Sequence, residues 1–443
     1  MTNLIIETSK YLMILLMTCY TYFNFRFFSF RDLWKKRAIC AKQNQAMFLM
    51  HLLAYLIIYL KTGELRVLVF YAAQVIFFLA YIYLYRLLYR NVSRLLVNNA
   101  CMLLCVGLIM LTRISLNRAI RQFVIIAASA VISWLVPWMI AHVWQLSKAA
   151  WLYAALGVSL LGAVCLIGTT TFGAQLSLQI HGLSFQPSEF VKISFVFFAA
   201  AMFYRSTRFP TVAVTTAVAA VHVLILVLSK DLGSALLFFV TYVFMLFVAT
   251  SNWIYLLSGL GCGGLAASAA YLLFPHVQKR VSAWADPWAD IDRNGYQIAQ
   301  SLFAIGTGGW FGLGLYQGMP YKIPVVEKDF IFAAISEELG GIFALCVILI
   351  CIGCFLQFMM VAGSLRASFF KLIAFGLGTV YIMQVFLTIG GVIKFIPSTG
   401  VTLPFVSYGG SSIFSTFLLF NTIQGLYILK RNEEDENEEN GFQ

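Results

Sequence analysis

The stretch that decides the fold runs from residue 331 to 361 and reads IFAAISEELGGIFALCVILICIGCFLQFMMV. After Glu338 it contains no charged side chain, and it exceeds the roughly 20 apolar residues with which an α-helix crosses a bilayer. Only helices and closed barrels satisfy their backbone hydrogen bonds in lipid, and this run is too long and uniformly apolar for a barrel strand. The sequence therefore predicts a membrane-spanning helix.

Comparable apolar runs recur along the 443 residues, of which 61% are hydrophobic and 11% charged. Such a composition excludes a soluble enzyme, a secreted disulfide scaffold and a nucleic-acid-binding module. We therefore predict an all-α polytopic membrane protein. Hydropathy places thirteen helices in the stretches 10–28, 46–62, 67–87, 97–112, 122–142, 150–170, 189–205, 211–228, 233–250, 253–274, 331–361, 368–391 and 411–429.

Basic residues predict the side of the membrane on which each loop lies, because cytoplasmic loops are enriched in Lys and Arg. The loop after the first predicted span carries Arg26, Arg31, Lys35, Lys36, Arg37 and Lys42. Placing it in the cytoplasm puts the N-terminus outside, the C-terminus inside and the long loop 275–330 outside. Arg113, Arg118 and Arg121 count against this orientation, since they fall in a short outer loop.

The acidic residues are concentrated in two regions. Six carboxylates lie between Glu433 and Asn440, and this acidic tail, 433–443, is predicted to be cytoplasmic, solvated and disordered. Five more lie in the loop 275–330, and Glu337 and Glu338 are expected to open the helix that follows. Carboxylates at the membrane edge are costly unless paired or solvated, so they mark a functional site.

Three of the loop carboxylates crowd onto one bend. Asp286, Asp290 and Asp292 lie beside Pro287 and the pair Asn294-Gly295, which predicts a tight, non-helical turn. Like charges that close together raise the pKa of at least one carboxyl, which suits a general base. The alternative is that one of the three only caps the helix that follows.

Basic residues at two places along the chain are candidate ligands for phosphate. Lys192 follows Glu189 by three residues, and Lys279 and Arg280 precede the acidic bend. Since Lys and Arg commonly bind phosphate, these positions suit a phosphorylated lipid. Alternatively, Glu189 and Lys192 form an ion pair that only neutralises itself at the end of a span. No His or Cys cluster has the spacing of a zinc site.

Five motifs, in this order along the chain, resemble the SEDS proteins of bacterial shape, elongation, division and sporulation, a family that includes FtsW, RodA and SpoVE. The likeness covers about residues 96–430. The motifs are FQPSEFVK at 185–192, DLGSAL at 231–236, RVSAWADPWADIDRNGYQIAQSLFAIGTGGWFGLGL at 280–315, DFIFAAISEELG at 329–340 and IPSTGVTLPFVSYGGSS at 396–412.

The resemblance implies a peptidoglycan glycosyltransferase that polymerises lipid II on the outer face of the plasma membrane, beside a class B penicillin-binding protein that acts as transpeptidase. By the family pattern, Asp290 is the catalytic residue and Asp286 ranks second. A divalent cation such as Mg²⁺ is a candidate cofactor, and membrane lipid is an expected partner. The candidate substrate-binding residues are Arg280, Lys192, Glu189, Gln186, Ser188, Gln297, Ser407, Gly409 and Ser411.

The same resemblance implies a division of the chain. Residues 96–432 are expected to form a ten-span core that contains the loop 275–330, and residues 1–95 to form an added module of about three transmembrane helices of unknown role. The chain departs from the family where Gly-Ala-x-Arg-Trp is present only as 173–176, without the Arg. Lys230 and Arg293 also depart from the family pattern. Both are candidates to supply the positive charge of the missing Arg.

Two other functions are weighed against the glycosyltransferase. A flippase or transporter for the lipid-linked precursor would carry ionisable residues deep in several spans, whereas this chain concentrates its acids in a loop. A non-catalytic scaffold of the wall-synthesis complex would need no particular loop carboxylate. A role in septal, lateral or sporulation wall synthesis is not distinguished by the sequence.

Overall fold

The computed structural model describes residues 2–143, 145–171, 174–180 and 183–441. Its helices are α1 (Thr2–Arg26), α2 (Leu33–Thr62), α3 (Leu65–Leu88), α4 (Arg94–Ile114), α5 (Leu116–Ser133), α6 (Leu135–His142), α7 (Ala150–Ile167), α8 (Pro187–Arg205), α9 (Phe209–Leu228), α10 (Leu232–Thr250), α11 (Trp253–Leu273), α12 (Pro275–Ala285), α13 (Tyr296–Gly308), α14 (Ile331–Leu339), α15 (Gly341–Ser364), α16 (Ser368–Val392) and α17 (Gly410–Gly441).

Within the described residues, twelve helical segments are long and apolar enough to cross a membrane, with α5 and α6 counted as one. They correspond in order to the second through thirteenth predicted spans, so the all-α polytopic class is confirmed. The first predicted span, 10–28, lies mostly in α1, which is helical but is not among the twelve. The protein is thus a multi-pass membrane protein.

One compact unit comprises residues 1–131, 280–354 and 385–409. Its centre is α4, whose apolar span is entirely buried. Helices α1 and α2 contact α4 through polar side chains as well as apolar ones: Tyr20 donates to Asn99 Oδ1 at 3.0 Å, and the Tyr55 and Thr112 hydroxyls lie 2.8 Å apart. Because buried hydrogen bonds connect them to α4, the first 95 residues do not form a separate compact unit.

The other compact unit comprises residues 132–279, 355–384 and 410–443. Helix α7 packs on α8, α9 on α10, and α17 on α6. Between α7 and α8 the chain forms a small antiparallel sheet in the order β1 (Thr169–Thr171), β2 (Ala174–Ile180), β3 (Leu183–Phe185). Hydropathy did not predict these strands. The departure at 173–176 falls here, where Gly173 and the side chains of 174–176 lie outside the described residues.

The stretch 331–361 is not one span, because it breaks at Gly340 into α14 and α15. Gly340 has φ 93°, and a Cβ there would lie 2.5 Å from the backbone nitrogen of Gly312. Only glycine combines that conformation with so close a backbone approach. Glu337 and Glu338 therefore end the nine-residue α14 instead of opening a helix, and both are buried.

Two further expectations change. The loop 275–330 contains α12 and α13, which are too short or too polar for a hydropathy search. The disorder predicted for the acidic tail is wrong, because α17 continues through it to Gly441. Glu434 pairs with Lys430 and Arg431, one turn earlier, and such pairs stabilise a helix end.

Candidate functional site

The acidic bend connects α12 to α13 and is organised by Asp290. The backbone oxygen of Asp290 accepts from the N–H groups of Arg293 at 3.2 Å and Gly295 at 2.9 Å. Its carboxylate Oδ2 accepts from the backbone and side-chain nitrogens of Asn294, at 3.3 and 2.8 Å. A Cβ on Gly295 would lie 2.1 Å from the carbonyl oxygen of Pro287. The predicted tight, non-helical bend is confirmed.

The other carboxylate oxygen of Asp290 is available. Oδ1 accepts no hydrogen bond from the described residues, and none of the ion pairs among them includes Asp290, which is half-buried. Asp286 is exposed, and its Oδ1 accepts from the Trp288 N–H at 3.0 Å in a local turn. The alternative of an Asp cap on α13 is wrong, because Gly295 occupies the N-cap.

Arg280 lies on α12, which docks against the segment after α16. Arg280 Nη1 donates to the Ser398 oxygen and Trp284 Nε1 to the Lys394 oxygen, both at 3.2 Å. Burial raises the pKa of Asp329, and the positive charges of Lys328 and Arg280 oppose that rise. Sequence reasoning missed Asp329 as a site residue, although it begins the motif DFIFAAISEELG.

Ser407, Gly409 and Gln297 hold backbone segments together. The Ser407 hydroxyl donates to the Lys328 oxygen at 2.5 Å, and Gln297 Nε2 donates to the Pro324 oxygen at 3.3 Å. The Gly409 N–H donates to the side chain of Gln122, which itself donates to the Ser407 oxygen. Ser407 and Gln297 therefore hold the segment before α14, while Gly409 is bonded to Gln122 of α5. Substrate contact by them stays a prediction.

An ion pair that the sequence did not predict completes this region. Arg118 pairs with Glu327, whose backbone oxygen accepts from the Tyr408 N–H at 2.7 Å. The two side chains are far apart in sequence, and their pairing depends on contacts between α5 and the segment before α14. No spacing rule along the chain could have identified it.

A second ion pair is buried at the end of α14. Arg113 Nε donates to Glu338 Oε1 at 2.9 Å, and the guanidinium lies 4.1 Å from the ring centre of Tyr316. The Tyr316 N–H donates to the other oxygen of Glu338 at 3.2 Å. Burial raises the pKa of Glu338 to about 7, against the opposing effect of Arg113. Arg113, which counted against the predicted orientation, is thus a structural partner.

In the other compact unit, Lys192 and Glu189 form the expected pair at the start of α8. Lys192 Nζ donates to Glu189 Oε2 at 2.5 Å and to Gln384 Oε1 at 2.8 Å, and Ser415 donates to the same Glu189 oxygen at 2.8 Å. Lys192 is only 2% exposed. The ion-pair interpretation of these two residues is confirmed, while a phosphate seat at Lys192 stays a prediction.

Three more candidates lie around the same helix start. The Gln186 N–H donates to the Ser411 hydroxyl at 3.0 Å, and the Gln186 side chain donates to Ser188 at 3.2 Å. Ser188 in turn donates to Asp231 Oδ2 at 3.3 Å. Burial raises the pKa of Asp231, while hydrogen bonds from Ser234 and Ser188 lower it. The sequence did not identify Asp231 as a site residue either, although it is the first residue of the motif DLGSAL.

The site residues predicted from sequence thus fall in both compact units. One unit holds Asp286, Asp290, Arg280, Gln297, Ser407 and Gly409, and the other holds Gln186, Ser188, Glu189, Lys192 and Ser411. Among the residues described, no three His, Cys, Asp or Glu side chains come together as metal ligands. A divalent cation such as Mg²⁺, which commonly binds one or two carboxylates together with substrate phosphates, stays a prediction.

Comparison with known proteins decides the family. The FtsW/RodA/SpoVE family, described as cell cycle protein, matches residues 93–431, well over half of the chain. The chain belongs to this family. The matched residues begin just before α4. They include the acidic bend and the candidate residues around the start of α8.

Individual members of the FtsW/RodA/SpoVE family are similar in sequence to this chain. The peptidoglycan glycosyltransferase RodA of Mycobacterium tuberculosis is 36% identical over 263 residues, which cover 56% of this chain and 56% of the relative. This chain thus spans little more than half the length of that relative. The probable peptidoglycan glycosyltransferase FtsW of Saccharophagus degradans is 36% identical over 290 residues, covering 62% of this chain and 73% of the relative.

The fold of the family is also found among solved structures. A chain from "Structural coordination of polymerization and crosslinking by a peptidoglycan synthase complex" has a TM-score of 0.66 at 22% identity, covering 77% of this chain and 98% of its own length. At that identity the likeness shows the fold alone.

Proposed function

We propose that this chain is an inverting glycosyltransferase that polymerises lipid II into peptidoglycan glycan strands on the outer face of the plasma membrane. Relatives named peptidoglycan glycosyltransferase RodA and probable peptidoglycan glycosyltransferase FtsW are 36% identical over 263 and 290 residues, which supports the reaction class. The observation that carries the proposal is Asp290, a loop carboxylate with one oxygen anchored and the other without a hydrogen-bond partner among the described residues.

Asp290 acts as the general base. Asn294 holds Oδ2 through two hydrogen bonds, which fixes the orientation of the carboxylate while Oδ1 stays able to accept a proton. The acceptor sugar hydroxyl gives its proton to Oδ1 as its oxygen attacks the anomeric carbon of the lipid-pyrophosphate donor. A positioned base of this kind contributes roughly 10²–10⁴-fold to the rate.

Cations stabilise the departing pyrophosphate. Arg280 donates one N–H to Ser398, and its planar fork has further donors that suit a phosphate group. Lys192 is the second candidate, and two of its three donors bind Glu189 and Gln384. We favour Arg280 over Lys192 for this role, because the ammonium of Lys192 is already neutralised by Glu189.

A class B penicillin-binding protein is the proposed partner, since the solved chain with the same fold comes from a peptidoglycan synthase complex.

The proposed orientation puts the N-terminus outside and the C-terminus in the cytoplasm, with the acidic bend outside. The proposed boundary between the N-terminal extension and the core lies near residue 95, which agrees with a family match that begins at residue 93.

The experiment is polymerisation of purified lipid II by the full chain with its transpeptidase partner, at matched protein levels. Asp290→Asn keeps the side-chain shape and removes the basicity, so we expect a loss of roughly 10²–10⁴-fold. Asp286→Asn is the matched control, since it makes the same change on the same bend. Near-normal activity of Asp290→Asn contradicts the proposal, and if Asp286→Asn is then the inactive variant, the base is Asp286.

A further inference from the structure

A strongly basic surface lies where α1 ends, α2 begins and α3 passes to α4. We call it the α1–α2 basic surface. The only acid between residues 26 and 42 is Asp32, whose carboxylate caps the Trp34 N–H at the start of α2. The surface consists of Arg26, Arg31, Lys35, Lys36, Arg37, Lys42, Arg86, Arg90 and Arg94.

Four cations of this surface form no ion pair within the described part of the chain. Arg26, Arg31, Lys35 and Arg37 are all exposed, and none of the ion pairs among the described residues includes them. Arg94 is half-buried, and the positive charges of Arg86 and Arg37 lie close enough to repel it, so like charges are gathered here. Such a cluster favours an anionic occupant.

Aromatic rings accompany these cations. Arg26 and Lys35 lie over the Phe30 ring at 4.8 and 5.6 Å from its centre, and Arg37 lies 5.7 Å from that of Trp34. Trp34 is 77% exposed. Exposed aromatic rings beside basic side chains are typical of the interface between a bilayer and water, where ring and headgroup lie at the same level.

A groove between α1 and α15 ends at the same surface. It is an open groove of about 530 Å³, and its walls include Thr18, Tyr22 and Phe25 of α1 and Leu345 and Leu349 of α15. Arg26 and Ser29 line its end at the basic surface. From Thr18 to Ser29 the groove is about 16 Å long at the rise of a helix. The groove therefore has mainly apolar walls, with the guanidinium of Arg26 and the hydroxyl of Ser29 at one end.

We propose that the groove and the α1–α2 basic surface together bind an anionic phospholipid. One acyl chain lies in the groove between α1 and α15, and the phosphate of the headgroup binds Arg26, Ser29 and the surrounding basic side chains. Apolar burial along the groove and phosphate pairing at its end act on the same molecule, so the site selects a lipid that has both.

An acidic protein segment is a poorer fit for these observations. Such a segment would pair with the cations but would leave the groove walls without an apolar partner. A neutral lipid would fill the groove but would leave the basic surface without an anion. Charge complementarity and groove lining therefore favour the anionic phospholipid over both.

The test is native mass spectrometry of the purified full chain, exchanged into detergent with equal amounts of phosphatidylglycerol and phosphatidylcholine. We expect retained adducts to favour phosphatidylglycerol by roughly tenfold or more, since each cation near a membrane surface favours an anionic lipid severalfold. At about 1 M salt the preference should fall, because the Debye length shrinks to about 3 Å. Equal retention of the two lipids, or a preference that salt leaves unchanged, overturns the proposal.

Variants locate the site. The preference for phosphatidylglycerol should be lost in a triple variant that combines Arg26→Gln, Arg31→Gln and Lys35→Gln. The control combines Arg208→Gln, Arg366→Gln and Lys371→Gln, which removes the same charge at exposed positions of the other unit. The control should retain the preference. Leu345→Trp, at a half-exposed position, should reduce total lipid retention by filling the groove. An unchanged preference in the first triple variant, or unchanged retention in Leu345→Trp, contradicts the assignment.

Two soluble competitors separate the occupants. Glycerol 3-phosphate and poly-glutamate, each at the lipid concentration, should not displace phosphatidylglycerol, because neither fills the groove. Displacement by glycerol 3-phosphate would make the surface a site for free phosphate groups, and displacement by poly-glutamate would make it a site for an acidic protein. Either result overturns the lipid assignment.

Discussion

The acidic bend and the start of α8 both present charged groups that the sequence identified, yet their surroundings are opposite. Asp290 is half-buried, is held by neutral Asn294 and keeps one oxygen free of hydrogen bonds from the described residues. Lys192 is almost fully buried, and Glu189 and Gln384 both bind its ammonium. The contrast teaches that a positioned but unpaired group is equipped for proton transfer, whereas a buried, paired group is first a structural element.

Breaking the buried pair should have the largest effect on stability. Lys192→Met leaves the Glu189 carboxylate without its cation, and removing one partner of a buried pair costs about 3–5 kcal/mol. Asp290→Asn, at the half-buried bend, should change stability by less than about 0.5 kcal/mol. The measurement is thermal unfolding of both variants in detergent. Equal melting temperatures for Lys192→Met and the unmodified chain would contradict a structural role of the Lys192–Glu189 pair.

A pH dependence should follow from the other buried pair. The folded chain raises the pKa of Glu338 to about 7 from its ordinary 4.5, so between these values the folded state holds a proton that the unfolded state has released. Stability should therefore fall as the pH rises through this window, by at most ~1.4 kcal/mol per pH unit.

The measurement is the melting temperature of the chain from pH 4.5 to 8. Glu338→Gln cannot titrate and should flatten the profile, whereas Glu7→Gln, which changes an exposed partner of Lys10, should leave its slope intact. A steep profile that survives in Glu338→Gln would assign the dependence to another group.

The backbone of the bend should matter for activity more than for folding. Gly295→Ala puts a Cβ 2.1 Å from the Pro287 oxygen, so the bend must shift and carry Asp290 with it. We expect about a tenfold or greater loss of polymerisation, since small displacements of a catalytic group are costly. Gly306→Ala is the control, because nothing lies within 4 Å of its added Cβ. Similar activity of the two variants would contradict a precisely positioned bend.

Asp286→Asn should have the smallest effect. The amide oxygen of Asn can still accept the Trp288 N–H that the carboxylate now accepts, so the local turn should persist. We expect polymerisation within a few fold of the unmodified chain and an unchanged melting temperature. A loss as large as that predicted for Asp290→Asn would show that both carboxylates act in the reaction.

Much of the fold follows from hydropathy, and the parts that do not are set by contacts distant in sequence. Twelve predicted spans correspond to twelve helical segments of the described residues, because each apolar run is by itself long enough to cross a bilayer. The break at Gly340 depends on its close approach to Gly312, and the strands β1, β2 and β3 depend on pairing with one another. Neither feature has a local hydropathy signal. The helical tail shows that carboxylates do not exclude a helix when basic residues lie one turn away.

The candidate site was predictable where chemistry is local. The bend at Asp290 and the pair of Glu189 with Lys192 follow from spacing along the chain, and both are confirmed as geometry. Asp231 and Asp329 were missed because burial, not spacing, perturbs their carboxyl groups. The role of Ser407 in binding the Lys328 oxygen likewise needs two segments that only the fold brings together.

The pH dependence of kcat/KM for lipid II polymerisation tests the central claim most directly. If one general base limits the rate, kcat/KM should rise with pH along a single limb and then level off. In Asp290→Asn that limb should disappear together with roughly 10²–10⁴-fold of the rate, at an unchanged melting temperature. A variant that keeps the limb, or that polymerises lipid II at a near-normal rate, would contradict the account.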